Sequence, residues 1–298
     1  KPLYCFPFMI TYVPYHKIDR IKYDYCIRHS KDYRVYAFSW YLDCVTDRWD
    51  LIIAGDYETV MPLPRKTKYG MSYVYTPAWV QQLGLFSLNE TSEKTRNEFL
   101  KCMSKKFLWI DYRLHSGHKE TLGAVEVKRN YLLPLQGGIE KIQHSYNKNR
   151  KRISRKSFDD FVLDKKGDIE VFIENYKNQY KPYAISEDSI DRLKCLCVKN
   201  KTNVHIWNVF QNKKFLAGLV WLKDVHRITY LAPLADERAK QLHIPTFLIN
   251  ELINDFQGQN LLLDFEGSMV AGVENFYQSF GAHAEPYYYF KKRFINYA

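Results

Sequence analysis

The amino-acid sequence predicts an α/β (α+β) protein made of two tandem domains, each with a mixed, mostly antiparallel β-sheet flanked by helices. The chain of 298 residues exceeds the usual size of one compact domain. Short apolar runs bounded by turn residues alternate with segments of helical periodicity. Because the same order of elements occurs twice, we expect one domain over residues 1–136 and a second over residues 137–298.

The first half contains three strand-like runs, then a helix and another strand. The runs WDLIIAG, ETVMPLP and MSYVYT predict a three-stranded meander between Trp49 and Thr76. The polar segment NETSE introduces a predicted helix with Phe99, Leu100 and Met103 on one face. KFLWIDYRL, with its alternating apolar residues, predicts the following strand.

The second half repeats this order. The runs VHIWNVF, FLAGLVWL and HRITYLA predict another meander, and the strand NLLLDF comes later. Between them, a predicted helix begins near Pro245, carries Leu248, Leu252 and Phe256 on one face, and ends before Gly258. The two meanders start about 155 residues apart, which indicates duplication of a whole domain.

The segment that joins the halves begins where Gly137 and Gly138 end the predicted strand YLLPLQ. Its apolar residues fall on one face of a single predicted helix; they are Ile139, Ile142, Tyr146 and Ile153. Two further helices are predicted over Ile169–Tyr180 and Glu187–Lys199, with Ser186 as the cap of the second.

A basic run, KNRKRISRK, lies in this joining segment. On a helix, four of its residues form one stripe: Lys148, Lys151, Arg152 and Arg155. The stripe suits the successive phosphates of RNA, and no acidic residue within the run neutralises it. An exposed, solvated helix face gives the same pattern without a ligand.

Composition limits the classes of function. The net charge of +11 favours an anionic partner such as nucleic acid, an acidic membrane surface or a phosphorylated ligand, although a merely basic surface has the same charge. The six cysteines and nine histidines lack metal or disulfide spacing, so we expect no metal and reduced thiols in a cytoplasmic protein. No run approaches the roughly 20 apolar residues of a membrane span, so no transmembrane segment is expected.

The strand NLLLDF runs directly into two carboxylates and a turn, in the order Asp264, Glu266, Gly267 and Ser268. Ligands of open sheets bind beyond the carboxyl ends of strands, so we expect these groups to meet a polar or charged ligand. Alternatively, Asp264 caps the turn or the next helix, as Asp readily does in such sequences.

Helices, a meander, a helix, a strand and a further helix form the order of the GNAT acyltransferase fold. Two such units in tandem resemble the Fem family, aminoacyl-tRNA-dependent transferases of peptidoglycan cross-bridges, and bacterial proteins described as GNAT acetyltransferases. The resemblance covers nearly the whole chain and is sharpest in YNKNRKRISRK, YLAPL, LDFEGS and ENFYQSFGA. In the Fem pattern the strand-end motif is of the type Asp-Phe-Gly-Gly, and Glu266 replaces its first glycine here.

The resemblance implies that the strands HRITYLA and LLLDF splay apart and that the acyl donor lies in the gap. The residues it places near the donor are Tyr230, Leu231, Ala232, Leu234 and Ser268. Coenzyme A-dependent GNAT enzymes carry a glycine-rich phosphate cradle, whereas the corresponding LADERAKQLHIPT has no glycine. Arg238 and Lys240 offer charge for phosphate there, or are simply solvated. Acyl-CoA, including acetyl-CoA, and aminoacyl-tRNA are the two expected donors, and the basic stripe favours the tRNA.

Transfer of an acyl group to an amine needs a base for the amine and a proton for the leaving group. We expect Glu266 as the general base, with Asp264 as the second choice and Tyr277 as an acid. Asp111, in IDYR, corresponds to Asp264 in the first half, but no Gly-Ser turn and helix follow it. The first half is therefore expected to frame the acceptor cleft between the halves.

The expected acceptor is an amine, and cell-wall or polysaccharide precursors, protein amines and polyamines all suit it. A hypothesis of another class is a non-catalytic GNAT-fold module that binds an anionic polymer such as RNA through its basic surface. Neither the acceptor nor the oligomeric state is encoded in a recognisable motif.

Overall fold

The computed structural model describes residues 9–119, 125–179, 186–267 and 269–293. The chain divides into two compact units, of which the first comprises residues 1–128 and 286–298 and the second residues 129–285. The sequence predicted the division between residues 136 and 137. The structural boundary, between residues 128 and 129, lies eight residues earlier, within the strand Val125–Pro134. In the structure the described residues from Pro286 onward also belong to the first unit.

The first unit contains both short helices and strands. Its strands are β1 (Ile10–Val13), β2 (Trp49–Ala54), β3 (Thr59–Lys68), β4 (Met71–Tyr75), β5 (Phe86–Ser87), β6 (Ile110–Leu114) and the start of β7 (Val125–Pro134). Its helices are α1 (Arg20–His29), α2 (Ser39–Val45) and α3 (Glu93–Lys106), and the cap of α3 is Ser92, which accepts a hydrogen bond from the Thr95 amide. The predicted meander and the following helix and strand of this half are therefore present.

The sheet of the first unit follows the order β1-β2-β3-β4-β6, and β5 pairs with β3. All of these pairs are antiparallel except β4 with β6, which are parallel over Val74↔Ile110 and Tyr75↔Asp111. The last strand, β13 (His283–Lys292), pairs with β6 in antiparallel register from Tyr288 to Lys292. The hydroxyl of Tyr289 donates a 2.5 Å hydrogen bond to Asp111, so the carboxylate at this strand end has a local partner.

The second unit has the same kind of architecture. Its elements after β7 are α4 (Ile139–His144), α5 (Lys148–Ser154), β8 (Val162–Asp164), α6 (Ile169–Gln179), α7 (Glu187–Lys199), β9 (Val204–Gln211), β10 (Lys214–Lys223), β11 (Arg227–Ala235), α8 (Glu237–Gln241), α9 (Ile244–Phe256), β12 (Leu262–Asp264) and α10 (Ala271–Gln278). Within the described residues, these elements match the predicted meander, the predicted helix near Pro245 and the strand that follows it.

The sheet of the second unit follows the order β7-β12-β11-β10-β9-β8. All neighbours are antiparallel except β11 and β12, which are parallel. The apolar face of α9 packs on this sheet through buried residues, and Leu248, Ile249, Leu252 and Ile253 are members of its core. Trp207 and Trp221 of the meander, with ring centroids 5.4 Å apart, fill the same core. The aromatic and β-branched strands thus gain their stability by burying one face against a helix.

One predicted helix is broken in the structure. The sequence predicted a single helix from Ile139 through the basic run, but α4 ends at His144 and α5 begins at Lys148. The side chain of Asn147 accepts a hydrogen bond from the Arg150 amide, which caps a new helix. The break changes the direction of the chain immediately before the basic residues.

Other predictions concern helix ends, cysteines and membrane spans. The helix predicted over Ile169–Tyr180 is α6, and Tyr180 lies outside the described residues. Ser186 caps α7 as expected, because its hydroxyl accepts from the Ser189 amide at 3.2 Å. Each of the five cysteines that the structure describes is a free thiol. None of the described helices is both long enough and apolar enough to cross a bilayer.

Candidate active site

Two parallel strands of the second unit part from each other. β11 and β12 pair only over Arg227↔Leu262, Ile228↔Leu263 and Thr229↔Asp264. β12 then ends, whereas β11 continues to Ala235 and stays paired with β10 on its other side. Phe265, directly after β12, keeps the pairing with β7 on the other side, because its amide donates to the Tyr131 carbonyl at 3.0 Å. The far half of β11 is therefore left without β12 as its neighbour.

A cavity of about 420 Å³ lies beside this far half of β11. Its walls come from four helices and the strand: Asn149, Arg150 and Ile153 of α5; Tyr230, Pro233, Leu234 and Ala235 of β11; Lys240 of α8; His243, Pro245, Thr246 and Leu248 at the start of α9; and Gly272, Val273, Phe276 and Tyr277 of α10. Most of these side chains are apolar, which is typical of a small-molecule site with a few placed polar groups. We call it the donor cavity.

The polar centre of the donor cavity is Arg150, a residue that is only 6% exposed. Its Nε donates to the Ser279 hydroxyl at 2.9 Å, and its Nη1 donates to the hydroxyl of Thr246. The guanidinium lies between two rings, 4.6 Å from the centroid of Phe276 and 4.5 Å from that of Phe280. Among the described residues no carboxylate forms an ion pair with it, and its Nη2 donates to none of them.

The electrostatics around Arg150 favour an anion. Burial lowers the pKa of Arg150 to about 10, which is the expected effect of removing a cation from water without a countercharge. The pKa of His243, at the start of α9, is lowered by burial and by the nearby cations Lys156, Arg150 and Arg152. Helix α9 starts here without a side-chain cap, so its dipole adds to the positive potential, whereas the amides of Thr246 and Phe247 already donate to the His243 carbonyl.

Tyr277, the predicted acid, does line the donor cavity. Its ring stacks on Phe265 at 4.7 Å and lies edge-on to Tyr230 at 6.4 Å. Helix α10, which carries Tyr277, is fixed to β7 because Glu274 accepts a 2.6 Å hydrogen bond from Arg129 and a second one from the hydroxyl of Tyr131. The position of Tyr277 is therefore set by packing on both of its sides.

Asp264, the predicted second base, is 2% exposed and is held by two hydrogen bonds. Its Oδ2 accepts from Arg227 at 2.6 Å, and its Oδ1 accepts from the Glu266 amide at 2.9 Å. Arg227 also approaches Glu285 at 3.4 Å. Burial lowers the pKa of Arg227 while Asp264 and Glu285 raise it, with a net increase. The Asp264 carboxylate has the turn-capping contact that the sequence allowed as an alternative, and it is absent from the walls of the donor cavity.

Glu266 and Gly267 form the turn after β12, and both have left-handed backbone conformations. Glu266 has φ of +58° and Gly267 has φ of +63°. Glu266 therefore adopts a conformation that glycine favours, at the position where the Fem pattern has glycine. A Cβ atom on Gly267 would lie 2.1 Å from the carbonyl oxygen of Arg129, so only glycine fits there. Glu266 is half-buried at this strand end and does not line the donor cavity.

The structure separates the remaining predicted donor residues. Leu234 and Lys240 line the donor cavity together with Tyr230, whereas the buried residues Leu231 and Ala232 are not among its walls. Arg238 points to Gln211, to whose side chain it donates at 2.7 Å. Ser268 lies outside the described residues.

The predicted basic stripe lies on the outer side of α5. Lys148, Arg152 and Arg155 are exposed and Lys151 is half-buried, and none of the four lines the donor cavity. No ion pair joins any of them to a carboxylate of the described residues. The stripe and the cavity therefore use opposite faces of one helix.

The phosphate cradle of a coenzyme A site has no counterpart after β11. The helix that follows, α8, is capped by Asp236, whose carboxylate accepts from the Ala239 amide at 2.6 Å. A carboxylate at this position repels a pyrophosphate and occupies the amide that would bind it. Within the described residues no group of three or more His, Cys, Asp or Glu side chains is arranged to hold a metal ion.

Sequence reasoning did not select Arg150 as a site residue, although a signal was present. Residue 150 is four positions after Tyr146 and three before Ile153, both of which are buried. This spacing places it on the apolar face of the helix rather than on the basic stripe. An arginine on a buried helix face is a rarer pattern than a basic surface and points to a bound anion or a buried ion pair.

The fold was compared with known proteins. No protein-family model matches the sequence, and no curated protein matches it. FemX has 11% identical residues and a TM-score of 0.61, with 91% of this chain and 96% of FemX covered. A conserved protein of unknown function from Bacteroides thetaiotaomicron has 11% identity and a TM-score of 0.62. The match covers 94% of this chain and 100% of the Bacteroides protein. A tandem GNAT protein from the clavulanic acid biosynthesis pathway has 6% identity and a TM-score of 0.54, with 95% and 98% covered.

These likenesses confirm the predicted fold. The chain has the Fem-like, tandem GNAT fold, with mixed, mostly antiparallel strand pairing and flanking helices in each unit. The parallel pairs β4–β6 and β11–β12 occupy equivalent places in the two units, and each contains the Asp of its motif, Asp111 or Asp264.

Proposed function

We propose that this protein is an N-acyltransferase that moves an acyl or aminoacyl group from an activated, phosphate-bearing donor to an amine. The fold is one that acyltransferases use, but a fold at this level of identity leaves the activity open. The observation that carries the proposal is Arg150, a buried arginine without a carboxylate partner in the wall of a cavity next to the parted strands.

A buried and uncompensated cation is costly, so its presence calls for an explanation. Removing a charged group from water costs several kcal/mol even after the protein relaxes. The cost is of the same order as the stability lost when a buried ion pair loses one partner. Two hydroxyls and two aromatic faces offset part of this cost for Arg150. A bound phosphate or carboxylate offsets the rest by accepting from the free N–H groups of the guanidinium.

Of the two expected donors, aminoacyl-tRNA fits the site better than acyl-CoA. Asp236 caps the helix that would otherwise bind the pyrophosphate of coenzyme A. The exposed cations of α5 lie on the same helix as Arg150, so the phosphates of a polynucleotide can follow one face while an acyl end enters beside the other. Acyl-CoA remains the alternative donor in the experiments below.

The proposed chemistry is attack of a neutral amine on the donor carbonyl. The nitrogen forms a bond to the carbonyl carbon, and the carbonyl oxygen becomes an oxyanion. Because Glu266 lies outside the walls of the donor cavity, the nitrogen proton moves to its carboxylate through a water molecule. The oxyanion then re-forms the carbonyl as the bond to the leaving oxygen or sulfur breaks, and the leaving atom takes a proton from the hydroxyl of Tyr277. The proton taken up by Glu266 returns to Tyr277 through solvent, which restores both groups. Asp264, held by Arg227, acts as a positioning residue for the turn that carries Glu266.

The experiment compares Arg150→Met with Lys199→Met. Both remove one cation, but Lys199 is exposed on α7 and lies outside both the donor cavity and the basic stripe. Binding of aminoacyl-tRNA and of acetyl-CoA is measured by calorimetry, and transfer is assayed with a polyamine, a lysine-containing peptide and an amino sugar. We expect the Arg150 variant to weaken binding of the true donor at least tenfold and Lys199→Met to leave it nearly unchanged. Equal donor affinity in the Arg150 variant and the parent protein would overturn the proposal.

A second experiment tests the base. Glu266→Gln keeps the size and the backbone conformation of the residue but removes the proton acceptor. We expect a lower rate of transfer with donor affinity near that of the parent, because an interaction used in the transition state affects kcat rather than ground-state binding. Unchanged kinetics would remove Glu266 from the mechanism.

A second candidate function is a non-catalytic RNA-binding module. The exposed and unneutralised cations of α5 favour it, since they need no acyl donor. Such binding weakens steeply with salt, whereas turnover of a compact amine depends on salt far less. RNA binding without transfer from any donor to any of the three amines would select this function.

A further inference from the structure

A second cavity, of about 700 Å³, lies on another side of α9 and shares no wall residue with the donor cavity. Three phenylalanines line it, namely Phe158 and Phe161 from the segment after α5 and Phe247 from α9. Polar walls are added by further residues of α9, including Asn250. We call it the phenylalanine cavity.

The three rings form an aromatic surface that is only partly covered. Phe158 stacks on Phe247 with centroids 4.9 Å apart and ring planes 22° apart, and Phe161 lies 6.2 Å from Phe158. All three are half-buried and pack against the core on one side. Rings that are fixed in this way are suited to stacking with a planar ligand.

Asn250 adds a fixed hydrogen-bond donor to this cavity. The residue is 8% exposed, and its Oδ1 accepts from the hydroxyl of Tyr146 at 2.9 Å. Burial raises the pKa of Tyr146, which keeps its hydroxyl protonated as the donor and so fixes the orientation of the amide. The Nδ2 of Asn250 donates to none of the described residues. A donor that no protein group uses and that lies on a cavity wall is available to an acceptor on a ligand.

Two lysines lie on the wall of the cavity, and only one of them forms ion pairs. Lys165 is held by Asp255 at 2.8 Å and by Glu251 at 3.3 Å. Lys156 is exposed and forms no ion pair with the described residues. It directly follows Arg155 of the basic stripe, and it shares the cavity wall with Asp159, whose carboxylate accepts from the Ser157 hydroxyl at 2.6 Å, and with Glu251, which is paired with Lys165.

We propose that the phenylalanine cavity binds a nucleobase that carries an adjoining phosphate. The base stacks on the phenylalanine surface, its edge accepts from Nδ2 of Asn250, and the phosphate lies near Lys156. This site goes beyond the proposed transfer reaction, because it contains none of the residues assigned to that reaction. A free nucleotide and a single-stranded RNA segment share this chemistry.

The experiment uses 2-aminopurine riboside monophosphate and an eight-nucleotide RNA strand with one 2-aminopurine, whose fluorescence is quenched when the base stacks. We expect saturable quenching with at least one of the two probes. Binding of the monophosphate as tight as that of the strand indicates a free nucleotide as the natural ligand. Much tighter binding of the strand indicates RNA. Absence of quenching with both probes would overturn the proposal.

The variants separate stacking from general attraction by charge. Phe247→Ala removes a ring, and we expect a 5- to 150-fold increase in Kd together with loss of the quenching, from about 1–3 kcal/mol per stacked base. Phe247→Leu keeps most of the apolar volume, so a folded protein is available if the alanine variant unfolds; we expect it to lose quenching too. Phe215→Leu, at a half-buried phenylalanine outside this cavity, is the matched control.

Two further outcomes are decisive. Unchanged Kd and quenching in both Phe247 variants would overturn the proposal even if RNA binds elsewhere. Arg150→Met should leave the quenching unchanged, because Arg150 does not line this cavity. A failure of the transfer reaction and a failure of the base site are thereby observed separately.

Discussion

The guanidinium of Arg227 donates a 2.6 Å hydrogen bond to the carboxylate of Asp264, and both side chains are buried. The two residues lie at opposite ends of the short parallel pairing of β11 and β12, since Arg227 pairs with Leu262 and Asp264 with Thr229. The ion pair therefore spans the last stretch over which the two strands stay together. Its role is to hold the strands at the place where they begin to part.

We predict that removing one member of this pair destabilises the protein strongly. Asp264→Asn should lower the free energy of unfolding by up to about 3–5 kcal/mol, because it removes the nearer carboxylate of the buried Arg227 and leaves only Glu285, at 3.4 Å. The double variant Arg227→Met, Asp264→Leu should recover much of that loss, since both buried members of the pair are removed and the remaining carboxylate, Glu285, is only half-buried. Urea denaturation measures both, and Asp56→Asn, which breaks the exposed pair with Lys22, serves as the control with little expected change.

We predict that Gly267 tolerates no side chain. Gly267→Ala should cost about 2–5 kcal/mol, the sum of overpacking against the Arg129 carbonyl and left-handed strain. Gly258→Ala is a matched control, because Gly258 has φ of +80° and open space around the position of a Cβ. It should cost only the strain, about 1–2 kcal/mol. Equal losses in the two variants, measured by thermal unfolding, would contradict the assigned packing of the turn.

We predict that protonation of His118 limits stability in acid. Burial, His115 and Arg96 hold the pKa of His118 well below its usual range, and its Nε2 accepts from the Leu85 amide at 3.0 Å. The unfolded state therefore binds more protons below pH of about 6.5, and stability falls as the pH drops further, by up to about 1.4 kcal/mol per pH unit. Above that pH the group has no such effect.

The variant His118→Gln checks this prediction, because the glutamine side chain can accept from the Leu85 amide without titrating. Its free energy of unfolding between pH 7.5 and pH 5 should depend on pH less steeply than that of the parent. His144→Gln, at an exposed histidine, controls for the loss of an imidazole. A pH profile of His118→Gln that is parallel to that of the parent would contradict the prediction.

We predict that charge reversal on the outer face of α5 weakens RNA binding and its dependence on salt. Lys151→Glu combined with Arg155→Glu should lower the slope of log K against log salt by about 1.4–1.8, if each contacts one phosphate. Lys199→Glu combined with Lys201→Glu makes the same change in net charge at exposed residues elsewhere. Filter binding of tRNA across a salt series measures both slopes, and identical slopes would mean that the face is only solvated.

Much of the fold could be predicted from local patterns. The meander strands β9, β10 and β11 are apolar and rich in β-branched and aromatic residues, and they lie where the sequence placed them. Helix α9 was recognisable from Pro245 and the spacing of its apolar face. The break before α5 was missed because apolar residues at helical spacing continue across it, although Asn147 is a good cap for a new helix.

The site was less accessible to sequence reasoning, since its key contacts join residues far apart in the chain. The partners Arg227 and Asp264 meet only because two parallel strands adopt one particular register. Arg150 was grouped with its basic neighbours by residue type, whereas its position on the helix face determines its environment. The order of elements does not show which residues of α8, α9 and α10 enclose a common space.

The assignment of β13 from Pro286 onward to the first unit has a consequence for dissecting the protein. A single cut near residue 137 does not yield two complete halves, because the amino-terminal piece lacks Tyr289 and with it the partner of Asp111. The second unit is instead inserted into the first, and its two boundaries, after residue 128 and after residue 285, fall within β7 and β13. Gene fragments for separate expression should therefore join the outer segments through a short linker.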